Sequence, residues 1–248
     1  MCACLLTGCA SAETKALETA APAVIDLSEP ERLPEGVTFD DGIYTVALPG
    51  AYSVTGEARG RLTVAAEGPV ELILEGVSLT GPECLRLEGT EPVTITLPAG
   101  AVNTLSDGGE LPDGSAGCVL LSKAPLTIGG SGSLTVTAKG KAGITSDDYL
   151  HFLEGTVSVS SSGGHGIRGK DAVIVSDGTV SSSVSADMKK AVSTDGFYLQ
   201  DGGTVTLSAT GSAAYDSDDS DISAAGCIKA DGNFIMNGGS LTCTSTGK

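Results

Sequence analysis

The chain of 248 residues has a formal net charge of −17, contains 35 glycines and no tryptophan, and has only 4% aromatic residues. Its length suits one or two compact domains or one solenoid, and its negative charge argues against nucleic acid and anionic membrane surfaces as partners. Acidity alone also fits an exported protein that its charge keeps soluble. Abundant glycine, serine, threonine and valine favour many short strands with tight turns over a helical bundle.

The N-terminus carries a pattern typical of lipid attachment. The sequence Leu-Leu-Thr-Gly-Cys that ends at Cys9 resembles a bacterial lipobox. This resemblance implies a diacylglycerol anchor on Cys9, which tethers the protein to the extracellular face of the bacterial membrane without spanning it. Residues 1–9 lack the basic and long apolar regions of a full signal peptide, which indicates a signal remnant with an internal or truncated start. The alternative is a chance cysteine in an apolar leader.

Residues 10–36 are rich in alanine, glutamate, threonine and proline. This composition is typical of a linker, because it offers little apolar surface to bury. We therefore predict a disordered tether over residues 10–36 and one folded domain over residues 37–248.

A short phrase recurs through the second half of the chain. It consists of a small or cysteine residue, an aliphatic residue and a turn that contains aspartate. The aliphatic position falls at Ile144, Ile167, Val192 and Ile228, with intervals of 23, 25 and 36 residues, the last of which contains an insertion. A period of this size indicates stacked structural units.

Each unit contains three short alternating strands separated by turns. The first unit places apolar residues at Ile144, at Leu150 and Phe152, and at Val157 and Val159. Stacked units of this kind predict an all-β fold, a right-handed single-stranded parallel β-helix with three short strands per rung. The handedness follows from the general rule for parallel crossovers. A β-sandwich is the alternative, but it does not explain the fixed period.

The Val192 unit contains one additional turn residue near Asp201. For this unit we predict that Phe197 and Leu199 point into the core. Tyr149, Tyr198 and Phe197 are also candidates for stacking against a ligand.

Aspartates recur at one corner of the predicted units. These are Asp147, Asp148, Asp171, Asp195 and Asp231. Parallel strands lie about 4.8 Å apart, and Ca–O bonds measure about 2.3 to 2.6 Å, so one calcium ion between two rungs would reach a carboxylate from each. The alternative is that aspartate serves as a turn residue that hydrogen-bonds its own backbone.

A second acidic segment, residues 216–221, lies in the insertion between Val192 and Ile228. It does not match an EF-hand loop, because Asp221 stands where that loop needs glycine and Cys227 where it needs glutamate. A solvated loop is the preferred interpretation.

The residues that follow each aliphatic position should point outward, because side chains alternate along a strand. They form a predicted column of Thr145, Arg168, Ser193 and Lys229, with Lys170 close to Arg168. Arg168, Lys170 and Lys229 are candidates for contact with the carboxylates of an acidic polysaccharide. The alternative is that these bases neutralise the neighbouring aspartates.

Four cysteines, Cys84, Cys118, Cys227 and Cys243, are scattered without CxxC spacing. We interpret them as small buried side chains in preference to disulfides or metal ligands.

Several phrases together resemble the β-helical carbohydrate-binding domain-containing lipoproteins of Gram-positive bacteria. The phrases are Ala-Val-Asn-Thr-Leu-Ser-Asp-Gly from Ala101, Leu-Thr-Ile-Gly-Gly-Ser-Gly from Leu126, Gly-Ile-Thr-Ser-Asp-Asp from Gly143 and Ile-Lys-Ala-Asp-Gly from Ile228. The resemblance implies surface attachment, calcium ions and non-catalytic binding of polysaccharides such as polygalacturonate or cellulose, a β-glucan.

Two other classes of function stay open, an enzyme and a structural protein. A calcium-dependent uronate lyase would need a base such as Arg168 or Lys170, and a hydrolase would need carboxylates such as Asp147 or Asp148 with Asp171 across a cleft. Against both, the sequence shows no long loops that would build a cleft. A structural spacer or adhesin fits the same fold.

Overall fold

The computed structural model describes residues 21–109, 117–216 and 221–247, and the secondary structure of these residues is entirely β. The described part of the chain contains no helix that is long and apolar enough to cross a membrane. The strands in chain order are β1 (Ala23–Asp26), β2 (Val37–Asp40), β3 (Ile43–Val46), β4 (Gly50–Thr55), β5 (Glu57–Arg59), β6 (Arg61–Val64), β7 (Val70–Leu74), β8 (Ser78–Thr80), β9 (Leu85–Leu87), β10 (Val93–Thr96), β11 (Val102–Ser106), β12 (Cys118–Ser122), β13 (Leu126–Gly129), β14 (Ser133–Ala138), β15 (Ala142–Ser146), β16 (Tyr149–Phe152), β17 (Thr156–Ser161), β18 (Ile167–Gly169), β19 (Ala172–Val175), β20 (Thr179–Val184), β21 (Lys190–Thr194), β22 (Phe197–Gln200), β23 (Thr204–Ala209), β24 (Ala214–Asp216), β25 (Asp221–Ser223), β26 (Gly226–Ala230), β27 (Phe234–Met236) and β28 (Ser240–Ser245).

These strands form three long sheets that wrap around one core. Sheet A has the order β1-β4-β7-β10-β13-β16-β19-β22-β27, sheet B the order β2-β3-β6-β9-β12-β15-β18-β21-β26, and sheet C the order β5-β8-β11-β14-β17-β20-β23-β28. Because successive strands of the chain pass from sheet to sheet, each turn of the chain is one rung, and neighbouring rungs pair in parallel. The predicted parallel β-helix with three strands per rung is confirmed. The one antiparallel pair in the long sheets is β2 with β3, at the N-terminal end.

The core is built from columns of aliphatic side chains in register. In sheet B, Ile144 pairs with Ile167, Ile167 with Val192, and Val192 with Ile228. The first three of these are at most 1% exposed. Since no single rung could bury its own apolar side chains, stability comes from contact between neighbouring rungs.

The core of the Val192 rung corrects the prediction for Phe197 and Leu199. Tyr198 and Gln200 point inward instead, because Tyr198 is in register with Val173 and Gln200 with Val175. The polar atoms of the inward pair are satisfied: the Tyr198 hydroxyl donates to Gln200 Oε1 at 3.0 Å, and Gln200 Nε2 donates to backbone carbonyls.

Glycine recurs at the corner between sheets A and C for two reasons. Gly155 and Gly178 occupy this corner in successive rungs with φ values of 87° and 85°, which favour glycine. A Cβ on Gly178 would also lie 2.5 Å from the carbonyl oxygen of Gly155. The rungs can therefore stack closely only where this position has no side chain.

The predicted linker over residues 10–36 is wrong in its second part. Strand β1 (Ala23–Asp26) pairs with β4 in sheet A, and Ile25 and Leu27 are buried. The buried Tyr44 hydroxyl donates to the carbonyl oxygen of Leu27 at 2.6 Å. Although this segment has the composition of a linker, Ile25 and Leu27 are apolar and pack over the first rung. Residues 1–20, with the predicted signal remnant and Cys9, lie outside the described residues.

The insertion between β23 and β26 forms a short antiparallel hairpin, β24 with β25. Residues 217–220 of the predicted acidic loop lie outside the described residues. Beyond the hairpin, the last described rung (β26 to β28) leaves apolar side chains such as Phe234, Ile235 and Met236 exposed.

Candidate functional site

The predicted outward column on sheet B is confirmed by the strand register. Thr145 pairs with Arg168, Arg168 with Ser193, and Ser193 with Lys229. Neighbouring rungs are about 4.8 Å apart, so Arg168 and Lys229 flank the short side chain of Ser193. Ser193 is only 4% exposed, which makes it the floor of a depression between two cationic side chains.

This depression has a volume of about 210 Å³. It lies toward the corner where the chain passes from sheet C to sheet B. Its lining consists of His165, Arg168, Met188, Lys189, Lys190, Ser193, Asp195, Ser223 and Lys229. We call Arg168, Lys189, Lys190 and Lys229, together with His165, the basic cluster.

Lys190 is held in place by the hairpin insertion. Its ammonium group donates to the carbonyl oxygen of Met188 at 2.9 Å, to Ser223 Oγ at 3.3 Å and to the carbonyl oxygen of Ala224. Burial lowers the pKa of Lys190, and the neighbouring charges of Lys229 and Lys189 lower it further. Three oxygen acceptors thus fix an ammonium group that two other ammonium groups repel.

His165 is the neutral donor of the basic cluster. The backbone N–H of Lys190 donates to His165 Nδ1 at 2.9 Å, so the ring proton of the neutral form is on Nε2. Burial lowers the pKa of His165 to about 4, with further contributions from Lys189, Lys190 and Arg168. At neutral pH the ring is therefore uncharged and offers one N–H.

The positive charge of the cluster is only partly balanced. Arg168 Nη2 lies 2.9 Å from Asp195 Oδ2, and Lys229 Nζ lies 3.0 Å from Asp231 Oδ1. Among the described residues, Lys189 and Lys190 make no ion pair with a carboxylate. The cluster is thus a local concentration of positive charge on a chain whose formal net charge is −17.

Lys170 lies away from this depression, at the corner between sheets B and A. Backbone hydrogen bonds place it in one column with aspartates: Lys170 N–H donates to the carbonyl of Ser146, and Asp195 N–H donates to the carbonyl of Lys170. The same ladder places Asp147 before it and Asp231 after Asp195. Lys123, which precedes Asp147 in this column, lies 2.6 Å from that carboxylate.

Asp148 and Asp171 occupy the neighbouring column and do not align with Asp147, Asp195 and Asp231. The backbone N–H of Asp171 donates to the carbonyl of Asp148 at 3.3 Å. Asp148 Oδ1 accepts from the N–H of Tyr149 at 2.7 Å, which is the turn chemistry of the alternative interpretation.

The five predicted calcium ligands do not assemble a metal site. No group of three or more acidic, histidine or cysteine side chains that would hold a metal ion occurs in residues 21–109, 117–216 and 221–247. Lysine or arginine already neutralises Asp147, Asp195 and Asp231. Calcium does not fit this corner as the side chains stand, because it would have to displace their cationic partners. Calcium binding itself stays a prediction.

A second charged cluster lies at the N-terminal end of sheet B. Glu83 is 1% exposed and accepts from Arg86 Nη1 at 2.5 Å and from the N–H of Gly117 at 3.2 Å. Arg61 Nη2 lies 3.6 Å from the same carboxylate, and Arg86 also lies 2.6 Å from Glu88. We call Arg61, Glu83, Arg86 and Glu88 the arginine–glutamate network. Its two positive and two negative charges balance.

Of the three aromatic residues predicted to stack against a ligand, one is occupied within the fold. Tyr198 is buried and stacks on Phe234 at a ring separation of 5.1 Å. Tyr149 is half-buried, and Phe197 is 38% exposed. Phe197 and Tyr149 therefore remain accessible, whereas Tyr198 does not.

From β11 to β28 the outer face of sheet C is uncharged, whereas the first strand of the sheet, β5, carries Glu57 and Arg59 on this face. Two columns of hydroxyl side chains run along it in register, each over six rungs. The columns are Thr104, Thr135, Ser158, Ser181, Thr206 and Thr242, and Ser106, Thr137, Ser160, Ser183, Ser208 and Thr244.

Comparison with known proteins places the chain in a class. A profile described as carbohydrate-binding domain-containing protein matches residues 40–196, and the chain belongs to this family. The matched range contains His165, Arg168, Lys189 and Lys190 and ends before Lys229.

One curated protein and one solved structure are similar to large parts of the chain. A carbohydrate-binding domain-containing protein of Acetivibrio thermocellus is 26% identical over 135 residues, which cover 50% of this chain and 47% of the relative. The alignment thus spans about half the length of that relative. The structure of a polysaccharide lyase-like protein from C. thermocellum, a gadolinium derivative, superposes with a TM-score of 0.68 at 22% identity and covers 90% of this chain and 98% of that one. This likeness supports the fold.

Sequence reasoning found Arg168 and Lys229 but missed Lys189, Lys190 and His165. The missed residues precede the repeated aliphatic positions, at the corner between sheets C and B. A usable signal was present: Lys189-Lys190 is the only pair of adjacent basic residues in the sequence. Its link to the insertion through Ser223 and Ala224 has no signal in the sequence.

Proposed function

We propose that this protein is a non-catalytic binding domain for acidic polysaccharides, with the basic cluster as the contact for sugar carboxylates. One observation carries the proposal: four basic side chains converge on one depression of a chain that is otherwise strongly acidic. Membership of the carbohydrate-binding family supports a carbohydrate as the partner class.

The geometry suits an extended chain that bears carboxylates. Arg168 and Lys229 lie two rungs apart, about 9.6 Å between strand axes, on either side of Ser193. Guanidinium groups bind carboxylates through two parallel hydrogen bonds, and ammonium groups act as point charges. Lys189 adds an ammonium group that has no carboxylate partner among the described residues, and His165 Nε2 adds a neutral donor for a hydroxyl or carboxylate oxygen.

A binding role is favoured over a lyase because one predicted base, Arg168, is engaged in an ion pair, and the other, Lys170, lies away from the depression. Arg168 is paired with Asp195, and the Lys190 ammonium donates to three oxygen atoms. A general base has to present an unprotonated atom to the substrate. The carboxylates proposed for a hydrolase, those of Asp147 and Asp148 with that of Asp171, lie on adjacent rungs of one corner and not across a cleft.

Calorimetric titration of the full chain with polygalacturonate tests this function. Lys189→Ala and Lys170→Ala remove the same charge, but only Lys189 lines the depression. We expect Lys189→Ala to weaken binding about 10-fold and Lys170→Ala to change it less than about 2-fold, since one charge-assisted hydrogen bond contributes roughly 1.5 kcal/mol. Equal losses in the two variants would mean that only overall charge matters.

The same samples distinguish the alternatives. An increase in unsaturated uronate product would assign lyase activity, and absence of binding to any glycan would leave a structural spacer. The uncharged hydroxyl columns of sheet C favour neutral β-glucan as a second ligand, so a neutral glucan is titrated in parallel. Binding of neutral glucan that survives Lys189→Ala would locate that ligand away from the basic cluster.

Attachment to the cell surface through Cys9 belongs to the same proposal. A tethered binding domain would hold polysaccharide at the outer face of the membrane. Labelling with a fatty acid that is lost in Cys9→Ser tests the anchor. Titration with calcium in the presence and absence of polygalacturonate tests the predicted ion, and the neutralised aspartates lead us to expect no binding at Asp147, Asp195 and Asp231.

A further inference from the structure

Two positions face each other inside every rung of the C-terminal half, and they are always 16 residues apart. The first lies just before the inward aliphatic residue of sheet B, and the second lies in sheet C. The four pairs are Gly143 with Val159, Gly166 with Ser182, Ala191 with Leu207, and Cys227 with Cys243.

The glycine rungs show how close these positions are. A Cβ built on Gly166 lies 3.4 Å from Ser182 Cβ and 2.0 Å from its Oγ, and a Cβ built on Gly143 lies 2.3 Å from Val159 Cγ1. Disulfides join Cβ atoms about 3.5 to 4.5 Å apart. In the Gly166 rung, the backbone therefore brings this pair of positions to about the Cβ separation of a disulfide.

The two cysteines occupy this pair of positions in the last described rung. Cys227 is half-buried and Cys243 is exposed, and neither is disulfide-bonded. Burial raises the pKa of Cys243, and the neighbouring Cys227 thiol raises it further, first through its charge and then through a side-chain contact, to about 11. Cys227 Sγ also lies 3.4 Å from the carbonyl oxygen of Thr244, next to Cys243.

The other two described cysteines do not combine solvent exposure with a second cysteine in the facing position of the same rung. Cys84 and Cys118 are buried, and burial raises the pKa of each thiol to about 12. A buried thiol is out of reach of a disulfide in solution, whereas Cys243 is exposed and Cys227 is half-buried. Cys84 and Cys118 are therefore internal controls for the oxidation of Cys227 and Cys243.

We propose that Cys227 and Cys243 form an intramolecular disulfide that closes the last described rung by joining β26 to β28. The oxidant is a small-molecule disulfide such as oxidised glutathione. The thiolate of one cysteine attacks it, forms a mixed disulfide and releases one small thiol. The thiolate of the other cysteine then attacks the mixed disulfide, forms the Cys227–Cys243 bond and releases the second small thiol, so two thiols are oxidised as one disulfide is reduced. Strand β26 also carries Lys229, so the bond would hold one side of the basic cluster in place.

Peptide mapping of the full chain after treatment with oxidised glutathione tests the proposal. Trypsin cleaves after Lys190 and Lys229, which places Cys227 in residues 191–229 and Cys243 in residues 230–248. We expect these two peptides to be joined and to separate on reduction, while Cys84 and Cys118 stay free. In Cys243→Ser, Cys227 should instead retain one glutathione.

A stability measurement gives a second readout. The bond closes a 16-residue loop, so the oxidised protein should melt about 5 °C above the reduced protein, and Cys243→Ser should show no such difference. Glutathione on both Cys227 and Cys243 of the same molecule, or two thiols that stay free, would overturn the proposal. This outcome is independent of polysaccharide binding, because neither readout contains a glycan.

Discussion

The outer face of sheet B carries two charged clusters that differ in how their charges are balanced. In the arginine–glutamate network at the N-terminal end, each charge has a partner, and Glu83 is buried between Arg61 and Arg86. In the basic cluster at the C-terminal end, cations outnumber carboxylates, and a depression lies between them. Balanced charge of this kind stabilises a fold, whereas unbalanced charge beside open space is available to a ligand.

The two clusters also differ in what holds them. Glu83 adopts a left-handed conformation with φ of 46° and accepts the N–H of Gly117, so the network is tied to the backbone of its own rungs. Lys190 is held by Ser223 and Ala224 of the insertion. The network therefore belongs to the repeated fold, and the basic cluster depends on an added segment.

The largest effect should come from breaking the network. Glu83→Gln leaves Arg61 and Arg86 without their buried carboxylate and should cost about 3 to 5 kcal/mol of unfolding free energy, measured by urea denaturation. Glu88→Gln removes a carboxylate whose side chain is 42% exposed and should cost less than about 1 kcal/mol. Affinity for polygalacturonate should be unchanged in both variants. If Glu83→Gln lost affinity under conditions where it is fully folded, the network would also take part in binding, and the distinction between the two clusters would be wrong.

Acid should destabilise the fold through His165. Its pKa is lowered to about 4 in the folded chain from an ordinary 6.5, so between these pH values the unfolded chain binds the extra proton. Stability should therefore be fully present above pH 6.5 and fall by up to about 3 kcal/mol as the pH drops to 4.

The matched variant for this effect is His165→Asn, whose side-chain oxygen can accept the N–H of Lys190 in place of Nδ1. Carboxylates titrate in both proteins, so the difference between the two stability–pH curves isolates the histidine. Parallel curves from pH 7 to pH 4 would show that His165 titrates normally.

Filling the depression should weaken binding without any change of charge. Ser193→Leu places a larger side chain between Arg168 and Lys229, and we expect about 10-fold weaker binding of polygalacturonate, or roughly 1.4 kcal/mol. Thr145→Leu is the control, because Thr145 lies in the same outward column but does not line the depression. Similar affinities for the two variants would show that the ligand does not bind at this depression.

The smallest effect should come from removing a carboxylate that competes with the ligand. Asp195→Asn frees Arg168 from a partly exposed ion pair, so stability should change by less than about 1 kcal/mol. Affinity for polygalacturonate should rise about 2- to 5-fold, measured by calorimetry at low salt, because the guanidinium no longer shares its charge. A fall in affinity would indicate that Asp195 itself holds the ligand.

The architecture was predictable because the repeat that determines how the rungs stack can be recognised in the sequence. Ile144, Ile167, Val192 and Ile228 mark the rungs, and the alternation of side chains placed Arg168 and Lys229 in one outward column correctly. Both properties depend on local spacing alone, which the sequence contains.

The errors arose where position was judged from residue type. The inward residue of sheet A lies six residues after the aliphatic marker in each of these rungs, which selects Tyr198 and not Phe197. The corner column lies three residues after the same marker, which selects Asp147, Lys170, Asp195 and Asp231. Grouping the aspartates by residue type instead merged the column of Asp147, Asp195 and Asp231 with that of Asp148 and Asp171. It suggested a calcium site, against which the presence of Lys170 in the first column argues.

The basic cluster could be predicted only in part, for a different reason. Lys189, Lys190 and His165 approach Arg168 across a corner, and the hairpin that fixes Lys190 comes from an insertion outside the repeat. The distance between such groups depends on how the chain turns and not on strand periodicity. The pairing of Cys227 with Cys243 is similar, because it becomes visible only when the equivalent glycine rungs show how close the two positions lie.

Zero-length cross-linking tests the central claim most directly. Oligogalacturonate with carbodiimide-activated carboxyl groups forms amide bonds with any lysine amine that it contacts, and peptide mapping identifies the lysine. We predict cross-links at Lys189 and Lys229, few at the hydrogen-bonded Lys190, and none above background at Lys123 and Lys170. Cross-links spread evenly over all exposed lysines, or confined to Lys123 and Lys170, would contradict the assignment of the basic cluster as the polysaccharide site.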